Sequence, residues 1–114
     1  MVPHDLSKAT KLKHVWFPQT GLWSSVQWIT MTLQTVKSKN LRSITIYADH
    51  FVPVRVWEAA RQEWNDLDQL LVQFWSTHSI RPRVMHPAGR DLRDRVRSLL
   101  PELTRRELVD LVER

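Results

Sequence analysis

The sequence predicts a small α/β fold, in which a parallel sheet of few strands is connected by crossover helices and followed by a helical C-terminal cap. The 114 residues are enough for one domain. Two segments carry apolar residues at helical spacing, and each is followed by a short segment of β-strand character. The resulting order of helix, strand, helix and strand is typical of parallel strands whose crossover helices pack on the sheet.

The first part of the chain divides into an arm, a helix and a strand. Residues 1–20 contain two prolines and no clear period, so we expect a loosely ordered N-terminal arm before a single unit over 21–114. Over 22–36, apolar residues recur every three or four positions, which favours an amphipathic helix over the alternative of a strand. Residues 41–47 are short, β-branched and alternating, as is typical of a strand.

The second helix and strand follow the same order. Pro53 suits the first turn of a helix, because its fixed φ angle is already helical. Residues 57–74 carry the longest helical stripe of the chain. A second short strand is predicted over 80–85, where Pro82 suggests an edge position in the sheet.

Residues 88–114 form the predicted helical cap. A first short helix is expected to stop at a proline, which cannot continue it. Thr104 and Glu107 fit a capping box, in which the two side chains satisfy free N–H groups at a helix start. We therefore expect a last helix over 105–113. The leucines placed for a hydrophobic staple around that start are Leu103 and Leu108.

The composition excludes several kinds of chemistry. The chain has no cysteine, so disulfides, thiolate zinc sites, iron–sulfur clusters and cysteine nucleophiles are excluded together. Gly21 and Gly89 are its only glycines, and they are too far apart for a glycine-rich phosphate loop. The five histidines show no paired metal-ligand spacing. We therefore expect no catalytic residues, no metal, no cofactor and no enzymatic activity.

The charge leaves an anionic partner possible. The net charge is +5, with the positive excess in residues 1–40 and 80–114, whereas residues 41–79 contain more acidic than basic side chains. The N-terminus lacks the apolar core of a secretory signal, and no apolar run is long enough for a transmembrane helix. We expect a cytoplasmic or nuclear protein that does not enter a membrane.

The first predicted strand matches a repeat pattern. Residues 41–49 have the spacing LxxLxLxxN of a leucine-rich repeat, with aspartate where asparagine is usual, although an ordinary alternating strand also has it. Residues 28–114 resemble the C-terminal part of fungal F-box and leucine-rich-repeat-like proteins through LQTVKSKNLRSITIYAD, WEAARQEWNDLDQLLVQFWSTHSIRPRVMH and RDLRDRVRSLLPELTRRELVDLVER. The resemblance implies a terminal repeat unit with a helical cap, in which Leu41, Ile44 and Ile46 are strand core. It implies a recognition or scaffold piece and brings no catalytic residues.

The expected function is non-catalytic protein–protein interaction. Aromatic residues in a loosely held arm would form an exposed apolar patch, and such patches mark partner surfaces. The interaction candidates are Trp16, Phe17, Trp23 and Trp57.

The alternative is a small basic nucleic-acid-binding domain. Arginines cluster between residues 81 and 97, and their forked guanidinium groups suit phosphate oxygens. Asp91 and Asp94 are interleaved with them, so a solvated helix face explains the same pattern. The alternative nucleic-acid contacts are Arg81, Arg83, Arg90, Arg93 and Arg97.

Overall fold

Helices and strands alternate along the part of the chain that the structure describes. The computed structural model describes residues 5–20, 26–48, 61–86 and 90–113. In chain order, its elements are β1 (His14–Thr20), α1 (Val26–Gln34), β2 (Ser43–Ala48), α2 (Arg61–His78), β3 (Arg83–His86), α3 (Arg90–Leu99), α4 (Pro101–Arg105) and β4 (Asp110–Glu113). The alternation and the parallel strand pairs confirm the predicted α/β fold with crossover helices.

The four strands form one parallel sheet whose spatial order is the chain order, β1-β2-β3-β4. The register places Trp16 opposite Thr45, and Thr45 opposite Arg83. Right-handed crossovers that always step in the same direction put all connecting helices on one face of the sheet. Helices of the described residues thus cover one face only, and we call the other the open face.

The burial of alternate strand residues agrees with this arrangement. Phe17, Ile46 and Val84 form one row across three strands and are 5%, 0% and 0% exposed. Strand residues of the opposite parity are exposed or half-buried, and they make up the open face. Its members are His14, Trp16, Ser43, Thr45, Tyr47, Arg83, Met85, Asp110 and Val112.

Helices α1 and α2 supply much of the core on the covered face. Ile29 and Leu33 of α1 are buried, and so are Trp64, Leu67 and Leu71 of α2. These residues belong to the stripes that predict the two helices, so the predicted faces are the ones that pack. Burial of each large apolar side chain stabilises the fold by about 1.5–3 kcal/mol relative to exposure.

A buried carboxylate on α2 holds the start of α4. Asp68 is fully buried, and its two oxygens accept the backbone N–H groups of Glu102 at 2.9 Å and Leu103 at 3.0 Å. These are free donors of the first helical turn, and Leu100 at the N-cap makes no side-chain hydrogen bond to them. Burial raises the pKa of Asp68 above its usual range, although the two N–H groups act in the opposite direction.

The predicted last helix over 105–113 is wrong. The helix in this region, α4, begins at Pro101 and ends at Arg105, and it is followed by strand β4. The capping box does not form, because the Thr104 hydroxyl donates to the Arg97 carbonyl at 3.3 Å instead. In the described part of the chain, the expected helical cap over 88–114 therefore consists of two helices and the last strand of the sheet.

The turn after α4 is a Schellman motif. The N–H of Leu108 donates to the Leu103 carbonyl at 2.9 Å, and that of Glu107 donates to the Thr104 carbonyl at 3.1 Å. Glu107 has φ 56°, in the left-handed region that this motif requires. Leu103 and Leu108 are both buried in the core. The leucine pair interpreted as a staple at a helix start lies instead at a helix end, where the same pairing of apolar residues is common.

Strand β1 lies within the segment expected to be a loose arm. It pairs with β2, and the turn before it is tied to β2 by the Lys13 carbonyl, which accepts the N–H of Arg42 at 2.7 Å. Val15 and Phe17 point to the covered face and are buried. This alternation is short and ends at Pro18, so it is a weak signal in the sequence.

Strand β3 is an interior strand, so the predicted edge position is wrong. It lies between β2 and β4. Pro82 immediately precedes the strand, where a missing N–H interrupts no ladder bond. Its carbonyl accepts the N–H of Asp110 at 3.0 Å and so helps to position β4.

Candidate interaction surface

Trp16 and Tyr47 form an aromatic pair on the open face. Trp16 is 63% exposed, which is unusual for so large an apolar side chain. Its ring meets that of Tyr47 edge-on, with centroids 5.9 Å apart and planes at 64°. This edge-to-face geometry is favoured for aromatic pairs. The contact orients the indole while leaving most of its surface open to a partner.

Apolar side chains continue from this pair across the sheet. Tyr47 lies opposite Met85, and Met85 lies opposite Val112, so one row crosses β2, β3 and β4. All three residues are half-buried. Because paired residues of a parallel register share a face, the row extends the aromatic pair into an apolar strip. We call Trp16 and this row the apolar strip.

A cation lies on the open face beside the apolar strip. The first three strands and the residues that lead into them contain no aspartate or glutamate. Exposed Arg83 lies opposite Thr45 on the open face, whereas exposed Lys13 and Arg42 precede β1 and β2 at the end of the sheet where these strands begin. Asp110 on β4 is the first acidic residue across the sheet, and it pairs with Arg81 at 3.0 Å. This region therefore has a positive potential and is complementary to an anionic surface.

The other predicted interaction residues lie elsewhere. Phe17 is 5% exposed, and its ring meets that of Trp28 edge-on at 6.0 Å, so it is a core residue and does not belong to the open face. Trp23 and Trp57 lie outside the described residues. Sequence reasoning missed Tyr47, Met85 and Val112. The alternation of residues along β2 is the signal that would have placed Tyr47 on the face opposite to the core.

The arginine cluster is divided by the fold. Arg81, Arg93 and Arg97 line one cleft of about 320 Å³. Arg83 lies on the open face instead, because its parity on β3 is opposite to that of buried Val84. Arg90 begins α3. The described members of the predicted nucleic-acid site therefore belong to two different surfaces.

Titratable side chains away from the open face make structural contacts. His78 ends α2, and its Nδ1 and Nε2 atoms lie 2.8 Å from Thr77 Oγ1 and 3.2 Å from the Ser38 carbonyl. It thereby ties the helix to the segment that precedes β2. Asp68 caps α4, as described above. Within the described residues, no group of three or more histidine, cysteine, aspartate or glutamate side chains could hold a metal ion.

Comparisons with models of protein families, with curated proteins and with solved structures give no match. No helix in the described ranges is long and apolar enough to cross a membrane. The open face, with its exposed Trp16 beside Tyr47, is the feature of this fold from which we infer a function.

Proposed function

We propose that this chain is a non-catalytic protein-interaction module that binds its partner on the open face. The observation that carries the proposal is the exposure of Trp16, beside Tyr47, on a sheet face that the described helices leave uncovered. Tryptophan and tyrosine are the residue types most enriched among interface hot spots. A contiguous exposed apolar patch on a small protein is typical of a partner site.

The strand order supports a leucine-rich-repeat-like architecture for this module. Paired residues are 29 apart between β1 and β2 and 27 apart between β3 and β4, within the roughly 20–29 residues of a leucine-rich repeat, whereas the 38 residues between β2 and β3 exceed that length. Such repeats stack their strands in chain order and use the resulting extended surface for binding. The arrangement fits the resemblance to fungal F-box and leucine-rich-repeat-like proteins, and a cytoplasmic or nuclear location belongs to the same proposal.

The charge of the open face favours an acidic partner surface. A carboxylate of the partner would lie near Arg83, while an apolar side chain packs against Trp16 and Tyr47. Such complementarity accelerates association and excludes basic partners. The apolar contact supplies most of the affinity, because rim charges contribute little.

The test begins with a photo-crosslinking amino acid on the open face. We would place it at Thr45, directly opposite Trp16, and in a control protein at Gln73, which is exposed on α2. A protein that is captured from position 45 and not from position 73 is then purified, and its affinity for the chain is measured. Trp16→Ala should weaken that affinity by about 2 kcal/mol, which is roughly thirtyfold.

Trp75→Ala is the matched control. Trp75 is 36% exposed and lies on α2, away from the open face, so its loss should leave the affinity unchanged. A captured partner that binds the Trp16→Ala protein as tightly as the wild type would contradict the proposal. Equal losses in the two variants would contradict it as well.

Nucleic-acid binding is the second candidate, and one observation favours it. Single strands stack their bases on exposed aromatic side chains beside cations, and the open face offers both. Binding of a labelled single-stranded oligonucleotide would be measured at several salt concentrations. Affinity that falls steeply with salt and is lost in Trp16→Ala/Arg83→Ala would show that the interaction-only proposal is wrong. An absence of binding at low salt would remove the second candidate.

A further inference from the structure

Three arginines converge on a cleft outside the open face. The cleft has a volume of about 320 Å³, and its lining residues come from the segment before β3, from α3, from α4 with the turn after it, and from the edge strand β4 with its lead-in. Arg81, Arg93 and Arg97 line it together with Thr104 and Glu107. Ligand sites in proteins begin at roughly 300 Å³, so the cleft can hold a small anion with part of a larger ligand.

Two of these arginines form no ion pair with another described residue, and they lie next to each other. Arg93 and Arg97 are one turn apart on α3, and like charges at that spacing destabilise a helix. Asp94 lies between them in the sequence, yet no ion pair among the described residues includes either guanidinium. In the described part of the fold, two exposed cations therefore lie side by side at the cleft and take part in none of its ion pairs.

The third arginine is held in position by a carboxylate. The Nη2 atom of Arg81 lies 3.0 Å from Oδ1 of Asp110 at the start of β4. A guanidinium group has five N–H donors, so one carboxylate contact fixes its orientation and leaves donors for a second oxyanion.

The geometry points to a binding site for a phosphate group in this cleft, as inorganic phosphate or as a phosphate monoester. Forked guanidinium donors match pairs of phosphate oxygens. The three arginines outnumber the carboxylates of Asp110 and Glu107, so the cleft keeps a net positive charge. Half-buried Val109 and Leu111 complete the lining and would contact the carbon part of an ester. The site shares no residue with the apolar strip and is independent of the function proposed above.

The test is a titration followed by backbone amide NMR at constant ionic strength. The two probes are inorganic phosphate and a peptide with one phosphoserine between uncharged residues. We expect saturable shifts centred on Thr104, Glu107 and the start of β4. Tighter binding of the phosphopeptide identifies a monoester as the ligand, whereas equal or tighter binding of inorganic phosphate identifies the free anion.

Three variants make the assignment specific. Arg97→Gln should weaken binding about tenfold or more, because it removes a charged donor pair. Glu107→Gln should strengthen binding, because it removes a competing carboxylate, and a gain of affinity cannot result from misfolding. Arg42→Gln changes an exposed arginine that does not line the cleft and should have no effect.

Other results would overturn the assignment. Shifts of equal size around Lys39 and Arg42 would show general attraction of anions to a basic surface. Unchanged affinity in Arg97→Gln, or weaker binding in Glu107→Gln, would show that the cleft does not hold the phosphate. None of these results bears on Trp16, so the open-face proposal is judged separately.

Discussion

Replacing Asp68 with alanine tests whether one buried carboxylate holds the C-terminal part of the fold. The substitution removes both acceptors of the N–H groups of Glu102 and Leu103. Leaving a buried N–H group without a partner costs about 1–3 kcal/mol. The N–H of Leu103 is buried, whereas that of Glu102 is partly buried and can reach water more easily. The cost of leaving the Glu102 N–H without its acceptor therefore lies at the lower end of this range.

One effect acts in the opposite direction. Burial raises the pKa of Asp68, which means that its ionised form is less favourable in the folded protein than in the unfolded chain. Alanine relieves this cost, and it offsets part of the loss from the two N–H groups. We therefore expect the free energy of unfolding to fall by about 2–3 kcal/mol, a large share of the roughly 5–15 kcal/mol that is typical of a domain.

Urea unfolding measures this difference. It can be followed by tryptophan fluorescence, to which buried Trp64 contributes, and by far-ultraviolet circular dichroism. Asp68→Asn is the matched variant, because its Oδ1 can accept one N–H group while its amide nitrogen cannot accept the other, and it should lose about half as much. An Asp68→Ala protein within about 0.5 kcal/mol of the wild type would refute the reasoning, since that is the effect of an ordinary surface substitution.

Three further predictions follow from the backbone, the pKa of Asp68 and strand parity. Glu107→Gly should raise the free energy of unfolding by about 0.5–1 kcal/mol, because glycine adopts φ 56° without a Cβ clash, and an unchanged urea midpoint would contradict this. The pKa of Asp68 is raised from 3.8, so the folded state binds that proton more tightly than the unfolded chain does. The contribution of this proton to stability is present below pH 3.8 and is lost as the pH rises through the raised pKa of Asp68. In urea unfolding, the free energy of unfolding of the wild type minus that of Asp68→Asn should therefore fall over this pH range. A rise of this difference would contradict the direction of the pKa shift. Trp16→Ala should change stability by less than about 0.5 kcal/mol, whereas Phe17→Ala should lower it by about 3–5 kcal/mol, and equal losses would contradict the assigned faces.

The helices could be predicted because their patterns have many members. Along α2, Trp64, Leu67, Leu71 and Phe74 are each buried and recur every three or four residues. In so long a stripe, one ambiguous residue does not change the interpretation. With α1 and β2 assigned in the same way, the α/β class and the parallel pairing follow from the order of the elements.

The two outer strands could not be predicted, for two physical reasons. Strand β1 has 7 residues, and its short alternation ends at Pro18. At β4, the leucine spacing that suggests a staple also suits a Schellman motif, so the local pattern does not decide where the helix lies. The deciding contact is the hydrogen bond that the N–H of Glu102 donates to Asp68, which is 34 residues away in the sequence. Only the tertiary structure reveals it.

The sequence predicts part of the candidate site, namely the exposure of Trp16, but not the residues that surround it on the open face. Exposure of Trp16 was expected, but for the reason that its segment would be loose, whereas the indole is in fact exposed on an ordered strand. Its neighbours on the open face depend on strand order and register, which connect Trp16 to Thr45 and then to Arg83. Neither the strand order nor the register can be obtained from the spacing of residues in the sequence alone.

In a strand with one covered face, adjacent residues have different roles, because one points to the core and stabilises the fold while the next points to the open face and can bind a partner. On β1, Phe17 packs in the core while Trp16 is exposed, and on β2, Ile46 packs in the core while Tyr47 is half-buried on the open face. Substitutions on the open face therefore alter binding with little effect on folding, while substitutions one position away do the reverse. Suppose that a partner binds the Trp16→Ala protein more weakly than the wild type but binds a core variant with a similar loss of side-chain volume as tightly. If the core variant is measured under conditions in which it remains folded, the partner must contact the open face directly. This separation lets the interaction proposal be tested without the ambiguity that a partly unfolded variant introduces.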